Sequence, residues 1–300
     1  MASQRDVQTR IASVRNIQKI TRAMEMVAAA RLRRAEQRIA HLRPYAGAIR
    51  RMTRQAAEAA GSVPSLPILA EHESVQRVGL LMVTGDRGLA GAFNSQIIRA
   101  GLRASAAEEA DGRQSVFYAS GRRGSSSLTF RGKELAGSFV GFTDRPAYSD
   151  ARGIAERLMA DYVDGRVDRV EILYNGYISP LSQVVRQETL LPLQQASILE
   201  AGEEEEAAEE RPAHRALVEY EPDPEVILQR LVPDYVEISV YRALLESTAS
   251  EHGARMTAMR NASENAGDVI EDLTLEMNRA RQAEITQEIM EVVAGAEALS

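Results

Sequence analysis

Few residues in this chain are typed and spaced for chemistry, and the first to weigh form a glycine-rich turn. Gly85-Asp86-Arg87-Gly88-Leu89-Ala90-Gly91 follows a short apolar run and precedes a helical stretch. Glycines at such a place can let backbone N–H groups close on a phosphate. The spacing here is GxxGxxG, which fits neither the dinucleotide fingerprint nor a P-loop. The only Gly-Lys pair, Gly132-Lys133, is followed by Glu134. A turn that packs the sheet is therefore the expectation. His72-Glu73 opens a zinc-protease pattern, but Gln76 stands where the second histidine belongs. His41, His214 and His252 lie far apart, and no GxSxG elbow is present. Asp268, Glu271 and Asp272 read as the solvated face of a long helix. The residues thus predict no catalytic site, no metal set and no cofactor.

Composition points to helices. Aromatics make up 5% of the 300 residues, and tryptophan and cysteine are absent. Disulfides and thiolate chemistry are excluded, in keeping with a reducing compartment. No window approaches the roughly 18 apolar residues of a membrane span, and no signal or transit peptide is read at the start. The net charge of −7 hides an asymmetry, because residues 1–54 alone sum to +10. A basic segment in an acidic protein suits an acidic partner as well as a solvated face. Arginine outnumbers lysine 34 to 2, a genomic bias rather than a function.

Two segments must position whatever the chain does. Toward the C-terminus, Met256, Met259, Ser263, Ala266, Ile270, Leu273, Met277 and Ala280 alternate in steps of three and four. That is the narrow seam of a coiled-coil strand. The seam breaks at Arg281 and resumes out of register at Ile285, Ile289, Val292, Ala296 and Leu299, which reads as a stutter. Such a helix needs a second one. Ile11, Val14, Ile17, Thr21 and Met24, continued by Leu32, Ala35, Ile39, Leu42, Ala46 and Ile49, supply it, with Pro44 expected to kink or break it. The two termini then pair as an antiparallel hairpin. Between them, runs such as Val78–Val83, Ser115–Ala119 and Val167–Leu173 alternate with helical stretches and predict a small Rossmann-like α/β domain with a largely parallel sheet. The division is 1–60 for the N-terminal helix, 68–195 for the α/β domain, 196–222 for an acidic linker and 223–300 for the C-terminal helix. Glu200, Glu203 to Glu206, Glu209 and Glu210 make that linker a surface loop by composition. Asp223-Pro224-Glu225 gives a helix start signal.

Four runs carry a resemblance. They are Ile11-Ala-Ser-Val-Arg-Asn-Ile-Gln-Lys-Ile-Thr-Arg-Ala-Met-Glu-Met-Val-Ala-Ala-Ala30, the turn Gly85-Asp-Arg-Gly-Leu-Ala-Gly-Ala-Phe-Asn94, Ala254-Arg-Met-Thr-Ala-Met259, and Asn278-Arg-Ala-Arg-Gln-Ala-Glu-Ile-Thr-Gln-Glu288. In this order they resemble the gamma subunits of bacterial F-type ATP synthases, over nearly the whole chain. Ile17 stands where that family more often has threonine, and Ala90 where it usually has cysteine. The resemblance implies a non-catalytic rotor shaft that couples proton flow through a membrane c-type ring to ATP synthesis or hydrolysis. The implied partners are three alpha and three beta subunits, an epsilon subunit and that ring, with the chain peripheral on the cytoplasmic face of the inner membrane. It further implies that Arg255, Arg281, Gln282, Thr286 and Glu288 contact the catalytic hexamer, and that Met24 with its basic neighbours faces an acidic lever segment. Chloroplast relatives carry a regulatory cysteine pair, which this chain lacks. The alternative, a nucleic-acid-binding or ligase-type protein with a basic helical arm, lacks phosphate motifs and aromatics placed for stacking on bases.

Overall fold

The computed structural model describes residues 4–59, 67–70, 72, 74–193 and 223–297. In chain order the elements are α1 (Gln4–Ala59), β1 (Arg77–Val83), α2 (Phe93–Ala110), β2 (Gln114–Ser120), α3 (Arg122–Phe130), β3 (Leu135–Phe139), α4 (Tyr148–Val163), β4 (Arg169–Ser179), β5 (Ser182–Leu191) and α5 (Pro224–Glu297). The acidic run of residues 200–210 lies outside the described residues, as does Leu299. The chain divides into two compact units, residues 31–254 and residues 1–30 with 255–300. Each long helix contributes to both.

In the 31–254 unit, five strands lie in the order β3-β2-β1-β4-β5. The first four are parallel, and β5 turns back antiparallel on β4. The central strand shows why the sequence reads as it does. Leu80 and Met82 pack against Ile97 and Ala100 of α2, while Leu81 and Val83 face α4 and the first turns of α5. A strand buried on both faces must be apolar at every position, hence Val78-Gly-Leu-Leu-Met-Val83. Helix α2 lies so close that a Cβ on Gly101 would sit 1.9 Å from Met82 Sδ. Val232, Val236, Val240 and Leu244 of α5 complete the opposite core. Ala46 and Ile49 of α1 meet Leu231 and Ile238 of α5 in a smaller one. Helix α1 continues as one helix past Pro44, which has no N–H to give the i→i−4 ladder. Helix α5 does the same at Pro233.

The sequence reading missed α3 and β3. Helix α3, Arg-Arg-Gly-Ser-Ser-Ser-Leu-Thr-Phe, buries only Gly124 and Leu128 and is built from weak helix formers. Strand β3 is an edge strand, half-buried at four of five positions. Neither shows a period that a pattern could catch.

In the other unit, α1 and α5 pair antiparallel. Val7, Ile11 and Leu273 form its core, with Val14, Ile270 and Met277 against them. Gln18 Nε2 donates to the Ser263 carbonyl at 3.2 Å, and Arg260 pairs with Glu25 at 2.9 Å. The numbers fall on one helix as they rise on the other, so the hairpin is antiparallel as expected. One seam position needs correction. Ile17 is 54% exposed, and Gln18 takes the inward place, because Val7, Ile11, Val14, Gln18 and Thr21 keep the steps of four and three that Ile17 would break.

Candidate functional site

The seam on α5 is inward-facing from Met256 to Ala280, as its spacing predicts, and Met259, Ala266 and Leu273 are its buried points. Beyond Ala280 every described side chain is exposed, from Arg281 to Ala294. The resumed seam of Ile285, Ile289 and Val292 therefore meets no second helix among the described residues, and Val292 is 72% exposed. The stutter reading needs correction for that reason: supercoiling requires a partner, and Gln4, where α1 begins, comes only three residues before Val7, which packs with Met277. What remains is an open helix end. Ile285, Ile289, Met290, Val292 and Val293 stand in water, interleaved with Arg281, Gln282, Thr286 and Glu288. Thr286 turns its hydroxyl back to the Gln282 carbonyl at 2.8 Å.

The structure brings four of the six expected contact residues together. Arg281, Gln282, Thr286 and Glu288 share two turns and are all exposed. Arg255 lies some seven turns away and is 7% exposed, held within the chain. Met24 is half-buried on α1, with Lys19 and Arg22 exposed nearby. Sequence reasoning passed over Ile20, Met26 and Val27, which are exposed on the same helix. Their signal was there to find: apolar residues lying off the heptad seam are surplus to the hairpin.

The start of the glycine-rich turn and the loop after β2 bond to groups of the chain itself. Gly85 N–H donates to Asn94 Oδ1 at 2.8 Å, Gly121 N–H to the Phe139 carbonyl at 2.7 Å, and Gly124 N–H to Thr84 Oγ1 at 2.9 Å. Arg122 N–H goes to Asp86 Oδ1 at 2.9 Å, and Arg123 N–H to the Gly85 carbonyl at 3.1 Å. A phosphate cradle needs such donors free. These are used up holding the loops at the C-terminal ends of the parallel strands. Burial pushes the hydroxyls of Tyr118 and Tyr174 well above the usual phenol range, further from any acid–base role at neutral pH. Among the described residues, no group of acids and histidines is placed to hold a metal ion. No described helix is long and apolar enough to cross a membrane. The arrangement offers recognition, through guanidinium, carboxamide and apolar groups on an open helix.

A family model described as ATP synthase matches residues 3–299. The chain is 44% identical to the ATP synthase gamma chain of Rubrobacter xylanophilus, across 100% of this chain and 99% of that one. It is 42% identical to that of Moorella thermoacetica, across the full length of both. Among solved structures it resembles a chain of the central stalk and c-ring of the Tetrahymena thermophila mitochondrial ATP synthase. That likeness has 28% identity and a TM-score of 0.60, over 81% of this chain and 99% of that one. A chain of the Euglena gracilis mitochondrial ATP synthase, at 18% identity, shares the fold with a TM-score of 0.68, over 99% of this chain and 94% of that one.

Proposed function

The chain belongs to the ATP synthase gamma-chain family, and we propose that it turns as the central shaft of that enzyme without a catalytic site of its own. The observation that carries this reading is the end of α5. A helix that exposes Ile285, Ile289, Met290, Val292 and Val293 beside Arg281 and Gln282 is built to be enclosed by other chains. The enclosing chains are the alpha and beta subunits, three of each, with an epsilon subunit and the membrane c-type ring at the other end of the shaft. The complex sits on the cytoplasmic face of the bacterial inner membrane, and the chain is peripheral to it. No observation favours the nucleic-acid reading.

The mechanism follows from asymmetry. Two unlike helices present a different face in each direction, so each of three otherwise identical catalytic sites meets different side chains at a given angle. Differential contact free energy then favours open or closed states in turn as the shaft rotates. Arg281, Gln282, Thr286 and Glu288 bond to loops of the surrounding subunits in this scheme, and Lys19 and Arg22 beside Met24 face an acidic segment.

Co-purification tests the reading. A tagged chain expressed in its own cells should elute with two larger, P-loop-bearing subunits, each in threefold excess. The purified chain alone should neither bind nor hydrolyse ATP. Elution as a free protein that binds ATP would overturn the proposal.

A further inference from the structure

Within the 31–254 unit the bonds of the glycine-rich turn lead on to both long helices. Asp86 is the centre. Its Oδ1 accepts from Arg122 N–H at 2.9 Å, and its Oδ2 accepts from Gly141 N–H at 2.9 Å, Thr143 N–H at 3.2 Å and the Thr143 hydroxyl at 3.0 Å. Asp86 N–H in turn donates to Thr143 Oγ1 at 2.8 Å. One carboxylate thereby fixes the loops that follow β1, β2 and β3.

The loop between β3 and α4 then grips the helices. The Thr248 hydroxyl of α5 shares its one hydrogen between the Thr143 carbonyl at 2.9 Å and the Leu244 carbonyl of its own helix at 2.8 Å. Asp144 forms an ion pair with Arg31 of α1 through Oδ2, and its Oδ1 lies 3.8 Å from Nε2 of the buried His252 of α5. The turn itself touches α5 as well, since a Cβ on Gly85 would come within 2.7 Å of Glu251 Oε2. Gly85, Asp86, Thr143 and Asp144 thus lie in one continuous patch against residues 31, 248, 251 and 252.

The apolar packing of α5 on the sheet is strong but non-directional. It resists separation of helix and sheet more than it resists a roll of the helix about its own axis. Hydrogen bonds are directional and can fix such an angle: the Thr248 hydroxyl does so for α5, and the charge-assisted Arg31–Asp144 pair does so for α1. We propose that this clamp, centred on Asp86 and the Gly141–Asp144 loop, is the torsional lock by which the sheet domain turns α1 and α5 together. The proposal rests on the central-shaft reading and gives the Gly85–Gly91 motif its role. Thr248 and Asp144 act in it as positioning residues.

The test uses the assembled ATP synthase in sealed vesicles. Thr248→Val keeps the side chain's shape and removes its hydroxyl, Thr248→Ser keeps the hydroxyl, and Asp144→Asn removes the charge that faces Arg31. For each, ATP synthesis under an imposed proton gradient is compared with ATP hydrolysis after the gradient is collapsed. A net hydrogen bond corresponds to about fivefold in an equilibrium. Thr248→Val and Asp144→Asn should each lower synthesis by about that factor while hydrolysis stays within about twofold of wild type. Thr248→Ser should match wild type. Amide exchange at Gly141 and Thr143 should quicken in Asp144→Asn. Should synthesis and hydrolysis fall together, the residues merely support the fold and the lock is wrong. It is equally wrong if neither rate moves in Thr248→Val, or if Thr248→Ser is as impaired. Failure of the shaft reading is distinguishable, because the wild-type chain would then not join the larger subunits at all.

Discussion

In the unit of residues 31–254, the most apolar stretches, Leu80 to Val83 and Val170 to Tyr174 (where only the buried Glu171 is charged), are enclosed on both sides. The charges around them close on each other: Glu108 with Arg113 and Arg169, Asp161 with Arg157 and Arg166. In the unit of residues 1–30 and 255–300, one narrow seam is buried. Outside it Ile20, Met26, Ile285 and Ile289 remain in water. Apolar side chains stand exposed in the first unit too, Leu89, Phe130, Ile178 and Leu181 among them, but its sheet is enclosed on both faces, whereas the second unit buries a single seam. A helix pair with one buried seam leaves most of its surface outside its own packing, and that is the surface the proposed shaft offers to other chains.

Stability gives the sharpest way to break the comparison. Leu81→Ala should cost about 2–5 kcal/mol in urea unfolding of the isolated chain, because Leu81 is fully buried between helices and strands. Ile289→Ala, at a residue 58% exposed, should change it by less than about 0.5 kcal/mol. A comparable loss at both positions would mean that the helix end has a partner inside the chain.

Activity comes next. A hydrogen bond to a charged group contributes about 1.5–3 kcal/mol, enough to shift a preference between two states by about tenfold or more. Arg281→Ala or Gln282→Ala should lower ATPase turnover of the assembled complex severalfold and leave the thermal midpoint of the isolated chain unchanged. Arg113→Ala should leave turnover near wild type, since that guanidinium pairs locally with Glu108 and Asp111. Equal silence of Arg281→Ala and Arg113→Ala in an intact complex would remove this patch from the contact surface.

The seam on α5 was legible because eight residues in steps of three and four can be buried only one way. Strands β1 and β2 were legible as apolar runs. Helix α3 was not, because tertiary position and not periodicity makes Arg122 to Phe130 helical. Ile17 was misplaced by one residue, since an isoleucine outranks a glutamine in any apolar count. Only the Ser263 carbonyl, supplied by the other helix, explains why Gln18 faces inward. The expected contact residues were legible only as a pattern. Arg281, Gln282, Thr286 and Glu288 stand out as polar residues interrupting a seam, whereas Arg255 lies inside the fold and its motif does not reveal that. The role of Asp86 was hidden, because the groups it holds lie some 36 to 57 residues away.

A third prediction concerns acid. Asp161 is almost wholly buried, which by itself would raise its pKa. Hydrogen bonds from Arg157 and Tyr118 and the charges of Arg157 and Arg166 outweigh burial and carry it below the ordinary carboxylate value. A depressed carboxylate stabilises the fold fully above its unfolded pKa, near about 3.9, and the contribution is lost as pH falls through the folded value. Urea midpoints of the isolated chain should therefore decline below about pH 4. In Asp161→Asn they should start lower at neutral pH and decline less steeply. An unchanged acid slope in that variant would show that other carboxylates govern it.

The smallest effect tests the hairpin itself. Arg260 Nε lies 2.9 Å from Glu25 Oε1, with the arginine side chain about half exposed and the glutamate less so. Both charges keep access to water, so the Coulomb gain is screened and two long side chains must be held still. A double-mutant cycle with Glu25→Gln and Arg260→Gln in the isolated chain should give a coupling of about 0.2–1 kcal/mol. The coupling should shrink as salt rises from about 0.1 M to about 1 M, because the screening length falls from about 10 Å to about 3 Å. A coupling above about 2 kcal/mol that ignores salt would place the pair among buried, self-sufficient ones like those around Asp161. The paired helices would then hold themselves together as the α/β domain does, and the contrast between the two units would fail. A weak, salt-sensitive coupling means that the seam of Val7, Ile11 and Leu273 holds the hairpin together, leaving the helices' outer charges available for contacts with other chains.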